Sequence, residues 1–248
     1  MNDSEYSSMY KVELTHWWYK ALRNIMFYWV RKLKPKKILD VGCGTGINVL
    51  MLKKKNFDVY GIDASALAIK YCKKRGLTNV YKAIMQKLPF KAEAFDLIFS
   101  FDVLGILPDK EVTKGISDIK RCLKVGGYLI LNIAALQSLY SQHDIAIRTL
   151  HRYNKKEIEI LLDQYNFKIT KSTYRVFFLF PLVTLVKMIE KKNINKQKFE
   201  NIKGDVEKTN LILNSLLYPI MLIENLLLRF INLPIGTSLF IVAQKKKV

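Results

Sequence analysis

The chain has 248 residues, half of them apolar or aromatic, enough to bury a sizeable core in one large domain or two small ones. Its three cysteines, Cys43, Cys72 and Cys122, lie far apart with no C-x-x-C pair, which argues against a zinc site or a disulfide framework and fits a reducing compartment. The net charge of +20 points to nucleic acid or an anionic membrane. Most of that charge, however, is lysine spread along the chain (Lys32 to Lys37, Lys53 to Lys55, Lys245 to Lys247), so general lysine enrichment accounts for it as well as either partner does.

The opening MNDSEYSSMY is polar and acidic, and no secretory signal is read in it. VELTHWWYKALRNIMFYWVRKL follows as a helix or helix pair, with Trp18 and Trp29 read as core packing. From Lys36 onward short apolar runs alternate with amphipathic stretches, the pattern of a parallel sheet with crossover helices. KKILDVG, DVYGID, NVYKAI, FDLIFSFD and YLILNIA read as five strands. NVLMLKKK, SALAIKYCKKR and KGISDIKRCLK read as helices, the last ended by Gly126 and Gly127. NKKEIEILLDQYNF reads as a helix capped by Asn154, KITKSTYRV as a sixth strand, and TSLFIVAQ as a final strand antiparallel to its neighbours.

The first strand ends in DVGCGTG, where Gly42, Gly44 and Gly46 allow a sharp turn and leave room for a ligand against the backbone. A dinucleotide fingerprint places its third glycine three residues after the second, but here Ile47 holds that position and Gly46 comes one earlier. Asp63 closes the second strand, where a carboxylate can accept hydrogen bonds from two ribose hydroxyls.

On these residues the chain resembles the class I S-adenosylmethionine-dependent methyltransferases. ILDVGCGTG is similar to their first motif, Asp63 to their ribose-binding acid, KLPFKAEAFDLIFSFDVLGIL to the run into their fourth strand, and LKVGGYLIL to their turn into the fifth. The resemblance implies a Rossmann-like α/β fold with a seven-stranded, mostly parallel sheet, and S-adenosylmethionine as cofactor. It implies that Asp40, Gly42, Cys43, Gly44 and Gly46 surround the methionine part, that Asp63 and Ala64 border the ribose, and that Phe101 and Asp102 line the pocket. Two departures matter. Ile84 stands where many relatives carry an adenine-binding aspartate, which leaves the adenine to apolar packing and the Met85 backbone. DVLGI stands where many relatives read D-V-L-E-H, so Gly105 and Ile106 remove a carboxylate and an imidazole from the rim.

A bacterial and archaeal branch of this family has an N-terminus similar to E-x-x-H-W-W-Y-x-x-L-R, a later H-D-x-A…H-x-R-Y segment, and an end similar to LPIGTSLFIVA. All three are present here. The resemblance makes His16, Trp17, Tyr19 and Arg23 cap residues over the cofactor and places Asp144 at the substrate side. The expected organisation is one domain over 1–248: an N-terminal helical cap (1–35), a cofactor-binding core (36–175), a hydrophobic helical insertion (176–235), and a final strand with a basic tail (236–248).

Within the insertion, VFFLFPLVTLV is too short to cross a bilayer, which takes about twenty residues. LILNSLLYPIMLIENLLLRFI is long enough but carries Asn214, Ser215, Pro219, Glu224, Asn225 and Arg229. Three readings compete for the insertion: a lid over an apolar substrate, an anchor laid on anionic lipid, and a homodimer interface.

The donor's methyl group is intrinsically reactive, so such an enzyme mainly holds a nucleophile in line with it and away from water, and a base helps with a hydroxyl or amine acceptor. The candidates are His143, His151, Asp144 and Tyr153 in QHDIAIRTLHRY, then Asp102 and His16. If that stretch is one helix, positions eight apart share a face and both imidazoles turn to the pocket. The alternative is that His151, Arg152 and Tyr153 brace the loop. The spacing does not suit a metal. The expected function is methyl transfer to oxygen or nitrogen of a small-molecule or lipid-linked acceptor, by a cytoplasmic protein peripheral on the membrane. The alternatives are an RNA methyltransferase, disfavoured by the lack of an N-P-P-Y-like tetrad, and a non-catalytic cofactor-binding scaffold.

Overall fold

The computed structural model describes residues 3–194 and 211–247. Two helices come first, α1 (Asp3–Val12) and α2 (Trp17–Leu33). They are followed by β1 (Lys37–Val41), α3 (Ile47–Lys53), β2 (Asp58–Asp63), α4 (Ala66–Lys74), β3 (Val80–Lys82), β4 (Phe95–Phe101), α5 (Asp109–Cys122) and β5 (Leu123–Ala134). The remainder is α6 (Gln142–Ile147), α7 (Lys155–Gln164), β6 (Phe167–Arg175), α8 (Phe180–Ile194), α9 (Leu211–Leu227) and β7 (Ser238–Lys245). The strands form one seven-stranded sheet in the order β3-β2-β1-β4-β5-β7-β6. β1 to β5 pair in parallel, and β7 runs antiparallel to both β5 and β6.

The sheet is apolar because it is covered on both faces. Leu39, Ile98, Leu129, Leu131 and Ile241 meet Val112, Ile116 and Ile119 of α5 and Ile158 and Leu162 of α7 on one face. Ile38, Phe99, Ile130, Phe240 and Val242 meet Leu22, Met26 and Trp29 of α2, Val49 of α3 and Cys72 of α4 on the other. Trp18 packs against this second core and Trp29 is buried in it, as their size suggested. Strand order reverses between β1 and β4, which puts the ligand crevice beyond the carboxyl ends of those strands.

One boundary differs from the sequence reading. α5 ends at Cys122, and Leu123 is already extended and buried against Phe95. Gly126 and Gly127 therefore lie within β5 rather than ending the helix; Gly126 takes φ +77°, and the β4–β5 register shifts between Phe95 and Leu97. Burying Leu123 in the sheet outweighs continuing the helix to the glycines.

The polar residues of α9 tie it to the domain. Asn214 Oδ1 accepts from the Trp17 N–H at 2.9 Å, Asn225 Nδ2 donates to the Ala21 carbonyl at 2.8 Å, and the Arg229 guanidinium lies over the Tyr28 ring. Among the described residues no helix is long and apolar enough to cross a membrane. Most of the lysine-rich linker between α8 and α9 lies outside the described residues.

Candidate active site

The turn after β1 is left-handed three times over, with φ +80° at Gly42, +55° at Gly44 and +82° at Gly46, which only glycine adopts at little cost. Asp63, at the end of β2, is tied to this turn. Its Oδ2 accepts from the Gly44 N–H at 2.9 Å and its Oδ1 from the Ser65 N–H at 2.9 Å. Burial raises its pKa above the usual carboxylate range, against the pull of those donors. Asp40, 1 % exposed at the end of β1, has a carboxyl oxygen with no partner, and burial followed by the charge of Asp63 holds its pKa well up. Cys43 is buried in the turn, its sulfur 4.0 Å from that of Cys72, while Ala64 is exposed beside Asp63.

The sequence reading missed what lies over this turn. α1 covers it: the Tyr6 hydroxyl donates to Asp63 Oδ1 at 3.3 Å, and a Cβ added at Gly44 would come within 2.7 Å of the Met9 methyl. Glu13, just past α1, accepts from the Thr45 hydroxyl and the Arg75 guanidinium. Tyr6, Met9, Tyr10 and Glu13 follow a spacing of three, four and seven, a signal present in an otherwise polar opening.

The expected cap residues cluster at the start of α2. His16 is its N-cap, with Nδ1 accepting from the Trp18 N–H at 3.2 Å, and burial pushes its pKa down to about 4. Its ring stacks on Trp17, and Tyr19 meets both His16 and Trp18 edge-on. Burial also raises the Tyr19 phenol, with Glu13 and Asp102 adding to the effect. Arg23 is buried beside Glu13 and Tyr19, and its Nη1 has no partner.

Just past β4, Asp102 holds φ +59°, uncommon for a residue with a side chain and characteristic of functional sites. Its N–H donates to the Asn132 carbonyl at 2.7 Å, and its Oδ1 accepts from Asn132 Nδ2 at 3.0 Å. Asn132 Oδ1 in turn accepts from Arg175 Nη1 at 2.9 Å. Burial raises the Asp102 carboxyl to about 7, opposed by Asn132 and by the charges of Arg175 and Arg152. Phe101 is half-buried and tilted on Phe99. Asn132 and Arg175 were not singled out from the sequence, because each sits inside a stretch that reads simply as strand.

QHDIAIRTLHRY is not one helix. α6 stops at Ile147, and Arg148 turns left-handed at φ +61°. The expectation that His143 and His151 share a helical face is therefore overturned. His143 is partly buried within α6. His151 lies beyond it, with Nε2 3.4 Å from Glu157 Oε2 and its ring against Tyr153. Asp144 is fully buried; it accepts from the Ser141 N–H and from Arg152 Nε at 2.8 Å, and Arg152 Nη1 also donates to the Ala135 carbonyl. Tyr153 is buried in the core, and its backbone bridges Ala135. Burial lifts its phenol to about 12.

The unusual Gly105 now has a structural reason. Its carbonyl accepts from the N–H groups of Leu150 and His151, and a Cβ there would come within 2.8 Å of the His151 carbonyl oxygen. The residues missing from DVLGI leave the space in which the later segment docks. Nearby, Ile84 is half exposed, and the buried Met85 side chain packs on Gly115 rather than facing the crevice.

Glycines without side chains, a ribose-spaced carboxylate at Asp63 and a buried oxygen of Asp40 without a partner form a site that fits S-adenosylmethionine. Residues 39–131 match the family model described as "Methyltransferase domain". The chain carries a class I S-adenosylmethionine-dependent methyltransferase domain, Rossmann-like in fold, with S-adenosylmethionine as its cofactor. It is 35 % identical over 105 residues to the uncharacterized methyltransferase YodH of Bacillus subtilis, covering 40 % of this chain and 44 % of that protein. It is 25 % identical over 125 residues to a ubiquinone biosynthesis O-methyltransferase of Bordetella avium, covering 45 % and 50 %. In fold it is similar to a SAM-dependent methyltransferase of Thermotoga maritima, with TM-score 0.60, 18 % identity, and 98 % and 96 % of the two chains covered. The chain spans less than half the length of the first curated relatives it matches.

Proposed function

We propose that the protein transfers a methyl group from S-adenosylmethionine to an oxygen or nitrogen of a small or lipid-linked acceptor presented at an anionic membrane surface. Bound at the glycine turn, the cofactor supplies an electrophilic methyl group on its sulfonium. Asp63 holds the ribose hydroxyls, and the turn takes the methionine part. α2 excludes water from one side with Trp17, Trp18 and Tyr19. Asp102, partly buried and held by Asn132, accepts the proton of the acceptor. In this reading the buried ion pair of Asp144 and Arg152 and the core residue Tyr153 support the rim, while His143 and His151 remain at its edge as contacts for an incoming acceptor.

The observation that carries the membrane side of this reading is the apolar exposure of α8 and α9. Leu182, Leu185, Val186, Met188 and Ile189 of α8 and Ile212, Leu216, Ile223 and Leu226 of α9 are all 46 % or more exposed, and Phe230 reaches 79 %. Large apolar side chains exposed in this number mark an interaction site, and for a chain of net charge +20 an anionic lipid surface is the complementary partner. The relative named for ubiquinone biosynthesis is an O-methyltransferase, in keeping with oxygen-directed transfer. Incubating methyl-labelled S-adenosylmethionine with the protein and a cell extract, then separating lipid from aqueous products, tests the reading. Label in the lipid fraction supports it. Label in RNA or in soluble products alone overturns the membrane assignment, and no transfer at all favours a scaffold.

A further inference from the structure

Arg175 is the last residue of β6, on the same rim as Asp102 at the end of β4 and Asn132 in β5. Its side chain is completely buried, and its Nη1 donates to Asn132 Oδ1. The other donors, Nε and Nη2, have no partner. These two lie on the same edge of the planar guanidinium, where they form a fork spaced for the two oxygens of a carboxylate. A buried guanidinium with unsatisfied donors is costly, so native proteins rarely leave one without a reason.

The neighbouring carboxylates do not satisfy the fork. Glu224 accepts from the backbone N–H groups of Val176, Phe177 and Phe178, and Asp102 reaches Arg175 only through Asn132. Both act on the guanidinium through space, and burial lowers its pKa to about 10, so it stays charged near neutrality. The fork is therefore cationic, desolvated and held by Asn132 on one side, one amide side chain away from the proposed proton acceptor.

We infer that the Nε–Nη2 edge of Arg175 binds a carboxylate of the acceptor, placing the atom to be methylated a few bonds away, beside Asp102. This rests on the methyltransferase reading above and narrows its substrate to acceptors bearing a carboxylate close to the nucleophile. A monoanion is favoured over a phosphate dianion, because Asp102 and Glu224 already put negative charge around Arg175. Arg175 closes β6 at a completely buried position, where an apolar side chain would serve the sheet equally well. The turn that follows it is also constrained, with Val176 at φ +62° and its N–H pinned by Glu224.

Benzoate, its uncharged counterpart benzamide and inorganic phosphate are suitable probes, titrated calorimetrically into the full chain saturated with S-adenosylhomocysteine. Benzoate is expected to bind at least tenfold more tightly than benzamide or phosphate and to shift the Arg175 Nε–H resonance in a protein labelled with 15N-arginine. Arg175→Lys keeps the charge but loses the fork, so it should weaken benzoate at least tenfold and leave S-adenosylhomocysteine affinity unchanged. Equal binding of benzoate and benzamide, tighter binding of phosphate, or full benzoate affinity in Arg175→Lys overturns the inference. If Arg175→Lys does not fold, the benzoate–benzamide contrast and the resonance shift in the unaltered protein still decide it. Failure to bind S-adenosylhomocysteine counts against the proposed function instead, and the same titration of the cofactor-free protein then decides the role of Arg175.

Discussion

The Tyr6 hydroxyl donates to Asp63 Oδ1 at 3.3 Å, so a residue 57 positions earlier in the chain occupies a carboxylate oxygen that the cofactor ribose needs. α1 lies over the glycine turn, and cofactor entry must exchange the phenol of Tyr6 for a ribose hydroxyl. Tyr6→Phe removes the competing donor. One hydrogen bond to a charged acceptor contributes about 1.5–3 kcal/mol, and this long one sits at the low end, so S-adenosylhomocysteine should bind roughly tenfold more tightly to this variant by calorimetry. An unchanged affinity would mean that α1 does not compete for Asp63.

Asp102 sets the expected pH profile. Its carboxyl is raised to about 7 by burial, so the proton-accepting form grows as pH rises through 7, and methyl transfer should rise with it to a plateau. Asp102→Asn should remove that rise and lower the plateau about 10²- to 10⁴-fold. The stability effect has the opposite sense. A carboxyl whose pKa rises on folding from 3.8 favours the folded state most below its unfolded value, and that advantage is lost as pH climbs through about 7. Asp102→Asn should therefore melt higher than the parent above pH 7, with the gap closing toward pH 4.

The apolar face predicts a lipid-dependent phenotype. Leu185 and Leu216 are 57 % and 61 % exposed on α8 and α9. Burying one leucine in lipid stabilises by roughly 1.5–3 kcal/mol, so Leu185→Glu with Leu216→Glu should abolish flotation with anionic vesicles while leaving cofactor binding intact. High salt should weaken the parent's vesicle binding as well.

Gly105→Ala tests the docking of the segment after β5. Its Cβ would fall 2.8 Å from the His151 carbonyl, a backbone atom that can yield only if the whole segment moves. The expected cost is about 1–3 kcal/mol, visible as a lower melting temperature together with loss of methyl transfer.

Much of this was legible in the sequence. Strands buried on both faces read as apolar runs, the glycine turn and Asp63 fixed the cofactor end of the sheet, and Asn154 announced α7, which it caps by accepting from the Glu157 N–H. What was missed depends on tertiary contacts that leave little local trace. α1 opens with polar residues, and only its contact with the glycine turn gives Tyr6 a role. Arg148 ends α6 in a left-handed conformation without a glycine to signal it, so the two histidines read as one helix. Arg175 alternates correctly within a strand, and nothing in KITKSTYRV shows that its guanidinium points into a buried rim.

Binding of S-adenosylmethionine by Asp63 and the glycine turn underlies every step proposed above. Isothermal titration of the purified protein and of Asp63→Ala with S-adenosylmethionine tests it most directly. Losing two hydrogen bonds from ribose hydroxyls to a carboxylate should weaken binding at least about a hundredfold, with the fold preserved by circular dichroism. Equal affinity in the two proteins, or no binding to the parent, would contradict the account.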